Sequence, residues 1–133
     1  MKLYNVTGTQ RYCGPGALSA VMGISSNDGA RLIREVTGRK SICGTHDYEL
    51  EAVLRRNGFK LKTYGYPKPS QPTLAQWLRR REDRNKLVIV GLTSHWCVVK
   101  GNKYIDNITK EPVWISKAPN RRARVTYIIE VSK

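Results

Sequence analysis

The sequence predicts an α+β domain, on three observations. Helix signals crowd the first half of the 133 residues. Strand segments rich in Val, Ile, Tyr and Trp, separated by turn residues, crowd the second. Hydrophobic content of 40% and charged content of 26% are ordinary globular values. Helices first and an antiparallel sheet after them is the α+β order. The length fits one domain over residues 1–133, folded surface being about a third of what the extended chain exposes.

The elements follow in order. Gly14-Pro15-Gly16 opens the run Ala17 to Met22, with Pro15 suited to a first helical turn and Gly23 as the stop. A second helix begins at a Ser26 or Asn27 cap, turns Ala30, Ile33 and Val36 inward, and stops at Gly38. A third is capped by Thr45, carries Leu50, Val53 and Leu54 on one face, and ends at Asn57-Gly58. Residues 59–66 alternate as a strand, and the Pro-rich stretch 66–72 is an extended loop. Thr73 caps a short helix whose Leu74, Trp77 and Leu78 lie at helical spacing. Strands are predicted over residues 86–92, 95–100, 103–107, 112–116 and 124–131.

Composition excludes some classes. No apolar run approaches the roughly 20 residues that cross a bilayer, and residues 1–5 have no signal-peptide core. Three cysteines, an odd number without an export signal, point to free thiols in a reducing, cytoplasmic compartment. Twenty-four Lys and Arg against ten Asp and Glu give a net charge of +14. Such a surface attracts polyanions, so nucleic acid and acidic protein substrates are both candidate partners. The densest basic stretches are residues 79–86 and 120–124, but no nucleic-acid-binding motif accompanies them, and Trp77, Trp96 and Trp114 sit at core-like spacing.

Cys13 stands at the mouth of the first helix. The free N–H groups there carry about half a positive charge, which favours thiolate. A small packed thiol is the competing reading. The backbone N–H of Cys13, or the side-chain amide of Gln10 three residues upstream, can hold a developing oxyanion. A thiolate nucleophile needs a base, and the base an orienting partner. His95 begins one strand; after a Gly101-Asn102 turn the next is residues 103–107. With a two-residue turn, paired positions sum to 203. Cys97 then faces Asp106, and His95 faces Ile108. His95 and Asp106 become diagonal neighbours with Cα atoms roughly 7–8 Å apart. A three-residue turn places Asn107 there instead, which also holds an imidazole.

These residues, Cys13-Gly14-Pro15-Gly16-Ala17-Leu18 and then Ser94-His95-Trp96 through Gly101 with Tyr104-Ile105-Asp106, resemble papain-like cysteine peptidases. The compact bacterial and phage members related to double-glycine leader peptidases are the nearest in layout. The resemblance covers roughly residues 7–107. It implies a papain-like α+β fold, with Cys13 as nucleophile, His95 as acid and base, and Asp106 as orienting group. It implies no cofactor and no metal. The family's oxyanion glutamine stands about six residues before the cysteine, where this chain has Thr7, so Gln10 or a backbone group takes the role. The few residues before Cys13 leave no room for an inhibitory propeptide. The expected activity is hydrolysis of a peptide or isopeptide bond. Acyl transfer and deamidation begin with the same thioester. A zinc site from Cys43, His46, His95 and Cys97 is the remaining rival, weakened by the roughly 6.6 Å between alternate strand positions.

Overall fold

The computed structural model describes residues 1–133. The elements are α1 (Cys13–Met22), α2 (Ser26–Thr37), α3 (Asp47–Arg56), β1 (Lys60–Gly65), α4 (Leu74–Arg80), β2 (Leu87–Leu92), β3 (His95–Lys100), β4 (Lys103–Ile105), β5 (Val113–Trp114), a 3₁₀ turn (Ile115–Lys117) and β6 (Val125–Ser132). The strands form one antiparallel sheet in the order β1-β6-β2-β3-β4-β5. No helix is long and apolar enough to cross a membrane.

The apolar run of β2 is buried at every position because both faces of the sheet are covered. On one face Ile89, Val98 and Ile129 pack with Leu18, Ile33 and Leu54 of α1, α2 and α3. On the other, Val88, Val90 and Val99 pack with Leu74, Trp77 and Leu78 of α4. Each such large side chain contributes roughly 1.5–3 kcal/mol on leaving water. The sequence implies one helical layer; α4 makes a second, because its apolar stripe needs a face of its own. Trp77 is core as predicted, but Trp114 is 54% exposed on the edge strand β5.

Helix ends follow local chemistry. Gly23 and Gly38 close α1 and α2 with φ of 72° and 70°. The α2 cap is Ser25 rather than Ser26 or Asn27, its side chain accepting from Asp28 N at 3.1 Å. Ser26 is buried and accepts the backbone N–H of Gln10 at 3.1 Å instead. The α3 cap is His46 rather than Thr45, and Glu49 reaches back to His46 N at 2.8 Å. Thr73 and Gln76 cap α4 reciprocally.

The β3–β4 hairpin fixes the site. Its pairs are Val98↔Ile105, Val99↔Tyr104 and Lys100↔Lys103, the register of a two-residue turn. Gly101 has φ 59°, and glycine at the first turn position with positive φ is the II′ pattern that matches strand twist. The ladder then stops, so His95 has no partner at Ile108, which is 74% exposed. Asp106 ends it by accepting Ile108 N and Thr109 N on Oδ1, both at 2.8 Å, which turns the chain away.

Helix α1 docks against this turn through Gly16. A Cβ there would lie 2.7 Å from Asn107 Cβ and 3.2 Å from its Cα, closer than the backbone can accommodate without moving. Gly16→Ala is therefore expected to cost about 1–3 kcal/mol and to slow Cys13 alkylation, measured by denaturant unfolding and by thiol labelling. Equal stability and equal labelling would show that the approach is slack.

Candidate active site

Cys13 is the first residue of α1. Tyr12, at the cap position, offers no side-chain hydrogen bond, and the first turn has no acidic residue. The helix terminus is thus left positive and uncompensated beside the sulfur. Burial pushes the Cys13 thiol up. Hydrogen bonds from His95, the Trp96 backbone and its own backbone N–H, with the charge of His95, outweigh burial, so the thiol lies below its ordinary range.

His95 opens β3, where the β3–β4 ladder has already ended and α1 fills the space beside it. Its Nε2 lies 3.0 Å from Asp106 Oδ2. The ring also interacts with Cys13. Burial lowers the imidazole, but the hydrogen bonds to Asp106 and Cys13 and their charges raise it to about 9. A lowered thiol beside a raised imidazole is the signature of a thiolate–imidazolium pair.

Asp106 is 1% exposed. Burial alone would raise its carboxyl. His95, Tyr104 and the two backbone N–H groups hold it instead at about 2. The Tyr104 hydroxyl donates to Oδ2 at 2.6 Å, and the Thr109 hydroxyl accepts from Asp106 N at 3.1 Å. Every acceptor position of this buried carboxylate is thereby used, which fixes its orientation and that of the imidazole. Tyr104 escaped the sequence reading, although a residue two before Asp106 shares its strand face.

Cys13 and His95 line a cavity of about 540 Å³, with walls that include Thr45, Asp47, Ser94, Trp96 and Tyr127, while Asp106 lies buried behind His95. Trp96 ties the walls together: its indole N–H donates to Thr45 O at 2.8 Å, across 51 residues of sequence. Gly91 makes room for that ring, since a Cβ there would lie 2.7 Å from Trp96 Cζ3. Neither signal is periodic, so neither was visible beforehand. Gln10 does not line the cavity; its side-chain oxygen accepts from Arg11 N at 3.2 Å. The candidate zinc set does not assemble. Cys97 is buried beside Val90 O, and no group of three or more His, Cys, Asp and Glu side chains is placed to hold a metal ion. Cys43 is an exposed loop thiol that also lines the cavity.

No protein-family model matches the chain, and no curated protein matches it in sequence. Among solved structures it is similar to the peptidase domain of Streptococcus ComA, a bi-functional ABC transporter involved in a quorum-sensing pathway. The TM-score is 0.60 at 17% identity, covering 96% of each chain. Helices packed on an antiparallel sheet in this arrangement give the chain the α+β, papain-like fold of that peptidase domain.

Proposed function

We propose that the protein is a thiol-dependent hydrolase that cleaves a peptide or isopeptide bond. Cys13 is the nucleophile, His95 the acid and base, and Asp106 the orienting group. The observation that carries this reading is the position of His95, bound to Asp106 at 3.0 Å on one nitrogen and near enough to Cys13 at the mouth of α1 for the imidazole to be raised and the thiol lowered. The fold shared with a peptidase domain agrees with it.

In this reading the thiolate attacks the carbonyl carbon. The C–S bond forms and the C=O π pair moves to oxygen, which meets the backbone N–H of Cys13. The imidazolium gives its proton to the departing nitrogen as the C–N bond breaks, leaving a thioester. Neutral His95 then takes a proton from water, the resulting hydroxide attacks the thioester, and the sulfur leaves as thiolate with His95 charged again. Asp106 holds the ring in place and stabilises its charged form throughout.

Brief treatment with iodoacetamide at pH 6, followed by intact-mass measurement and peptide mapping, tests the nucleophile. A single adduct on Cys13 is expected. Cys97 is excluded because burial raises its thiol, and Cys43 lacks an imidazole partner. Equal modification of Cys13 and Cys43 would remove the basis of the assignment.

A further inference from the structure

The chain carries 24 Lys and Arg, yet none of them lines the cavity at Cys13. The cavity wall has Asp47 instead. The three acids of α3 differ in their surroundings. Glu49 is neutralised by Arg39 at 2.7 Å. Glu51 pairs with Arg55 at 3.4 Å and accepts the Tyr127 hydroxyl at 3.3 Å. Asp47 forms no ion pair. Its carboxylate and that of Glu51 add to burial in raising the Tyr127 phenol, against a hydrogen bond with Thr63, so Asp47 acts on the aromatic wall of the same cavity. A negative charge without a partner, beside the aromatic surfaces of Tyr127 and Trp96, suits a side chain that is long, apolar along its stem and positive at its tip.

We propose that the cleft selects a peptide with a lysine or arginine side chain beside the bond that is cut, and that Asp47 receives its charge. This rests on the hydrolase reading and names the substrate class for that site. It departs from the expectation of an acidic substrate, which followed from net charge alone. Charges elsewhere on the surface are screened beyond about 10 Å at 0.1 M salt, whereas Asp47 stands in the cavity itself. The thiolate and imidazolium of Cys13 and His95 largely cancel one another at a distance, and against the partial positive charge at the start of α1 Asp47 puts a full negative charge on the cavity wall.

The test uses the full chain with Cys43→Ser, so that one accessible thiol remains in the cleft. Three ethyl-linked methanethiosulfonates are compared: trimethylammonium-ethyl, sulfonatoethyl and neutral hydroxyethyl. Cys13 is expected to react faster with the cation than with the anion. Asp47→Asn, which keeps the shape of the side chain, should shift each charged rate by about threefold in opposite directions relative to the neutral reagent, the effect of one unit charge across a solvated cleft. Raising salt to 1 M should shrink the wild-type preference. A cation-to-anion ratio unchanged by Asp47→Asn would overturn this inference and leave the hydrolase reading standing. A neutral-reagent rate no faster than that of a simple thiol would overturn the hydrolase reading and the inference with it.

Discussion

Replacing His95 with alanine is expected to slow alkylation of Cys13 at pH 6 by about tenfold or more, the loss of an opposite charge beside the sulfur. A thiol with an ordinary pKa near 8.5 is only roughly 0.3% thiolate at that pH. In the intact protein His95 lowers the thiol, so a larger share of the sulfur is ionised there. The difference should narrow as pH rises and the variant's thiol ionises unaided. Hydrolysis and alkylation should also part company in alkali. His95 gives up its proton at about pH 9, and the departing nitrogen needs that proton, so hydrolysis falls through pH 9. Alkylation needs only the sulfur and continues. Parallel pH profiles for the two reactions in the wild type, or equal pH 6 labelling in the variant, would show that His95 does not govern Cys13.

Asp106→Ala should be the most destabilising change in the site, at about 3–5 kcal/mol, because it strips the buried Tyr104 hydroxyl and the charged His95 ring of their acceptor and frees the turn N–H groups. The Tyr104 hydroxyl and the N–H groups of Ile108 and Thr109 all point at that carboxylate. A melting-temperature fall of roughly 10 °C or more is expected. The wild type carries a matching pH dependence. The carboxyl is held at about 2 in the fold against an ordinary 3.8. A depressed folded value stabilises above the unfolded value and is lost as pH falls through the folded one. About 2 kcal/mol should therefore disappear between roughly pH 5 and pH 1. Urea unfolding across that range checks it, and a flat profile would mean that the fold does not depress the Asp106 carboxyl. Asp106→Asn keeps the volume but turns amide donors toward existing donors, so it should lie between alanine and wild type in stability.

Much of the site was legible in the sequence because two local rules decide it. A Gly-Asn turn between alternating apolar segments sets the β3–β4 register, and that register brings Asp106 within reach of His95. A glycine-flanked cysteine before an apolar run marks the start of α1. What stayed hidden depends on contacts between distant segments. His46 displaced Thr45 as a cap because Glu49 reaches back to it, while the Thr45 carbonyl is committed to Trp96. The Asx turn at Asp106 overrode the continuation of β4. Gln10 sits at a plausible sequence distance from Cys13, yet its loop is tied down by Ser26 and its carboxamide turns to Arg11. The second helical layer was missed because a seven-residue helix declares an apolar stripe but not which side of a sheet it covers.

The place of β6 bears on timing. Residues 125–132 insert between β1 and β2, and Ile129 and Val131 complete the cluster that seats α1. During synthesis every other strand leaves the ribosome before this one, so the sheet remains in two unjoined pieces until it arrives. The sulfur stands on α1 and the imidazole on β3, which pack directly on one another, and β6 completes the apolar cluster beneath them. The core beneath α1 therefore closes only when a strand late in the chain enters the interior of the sheet.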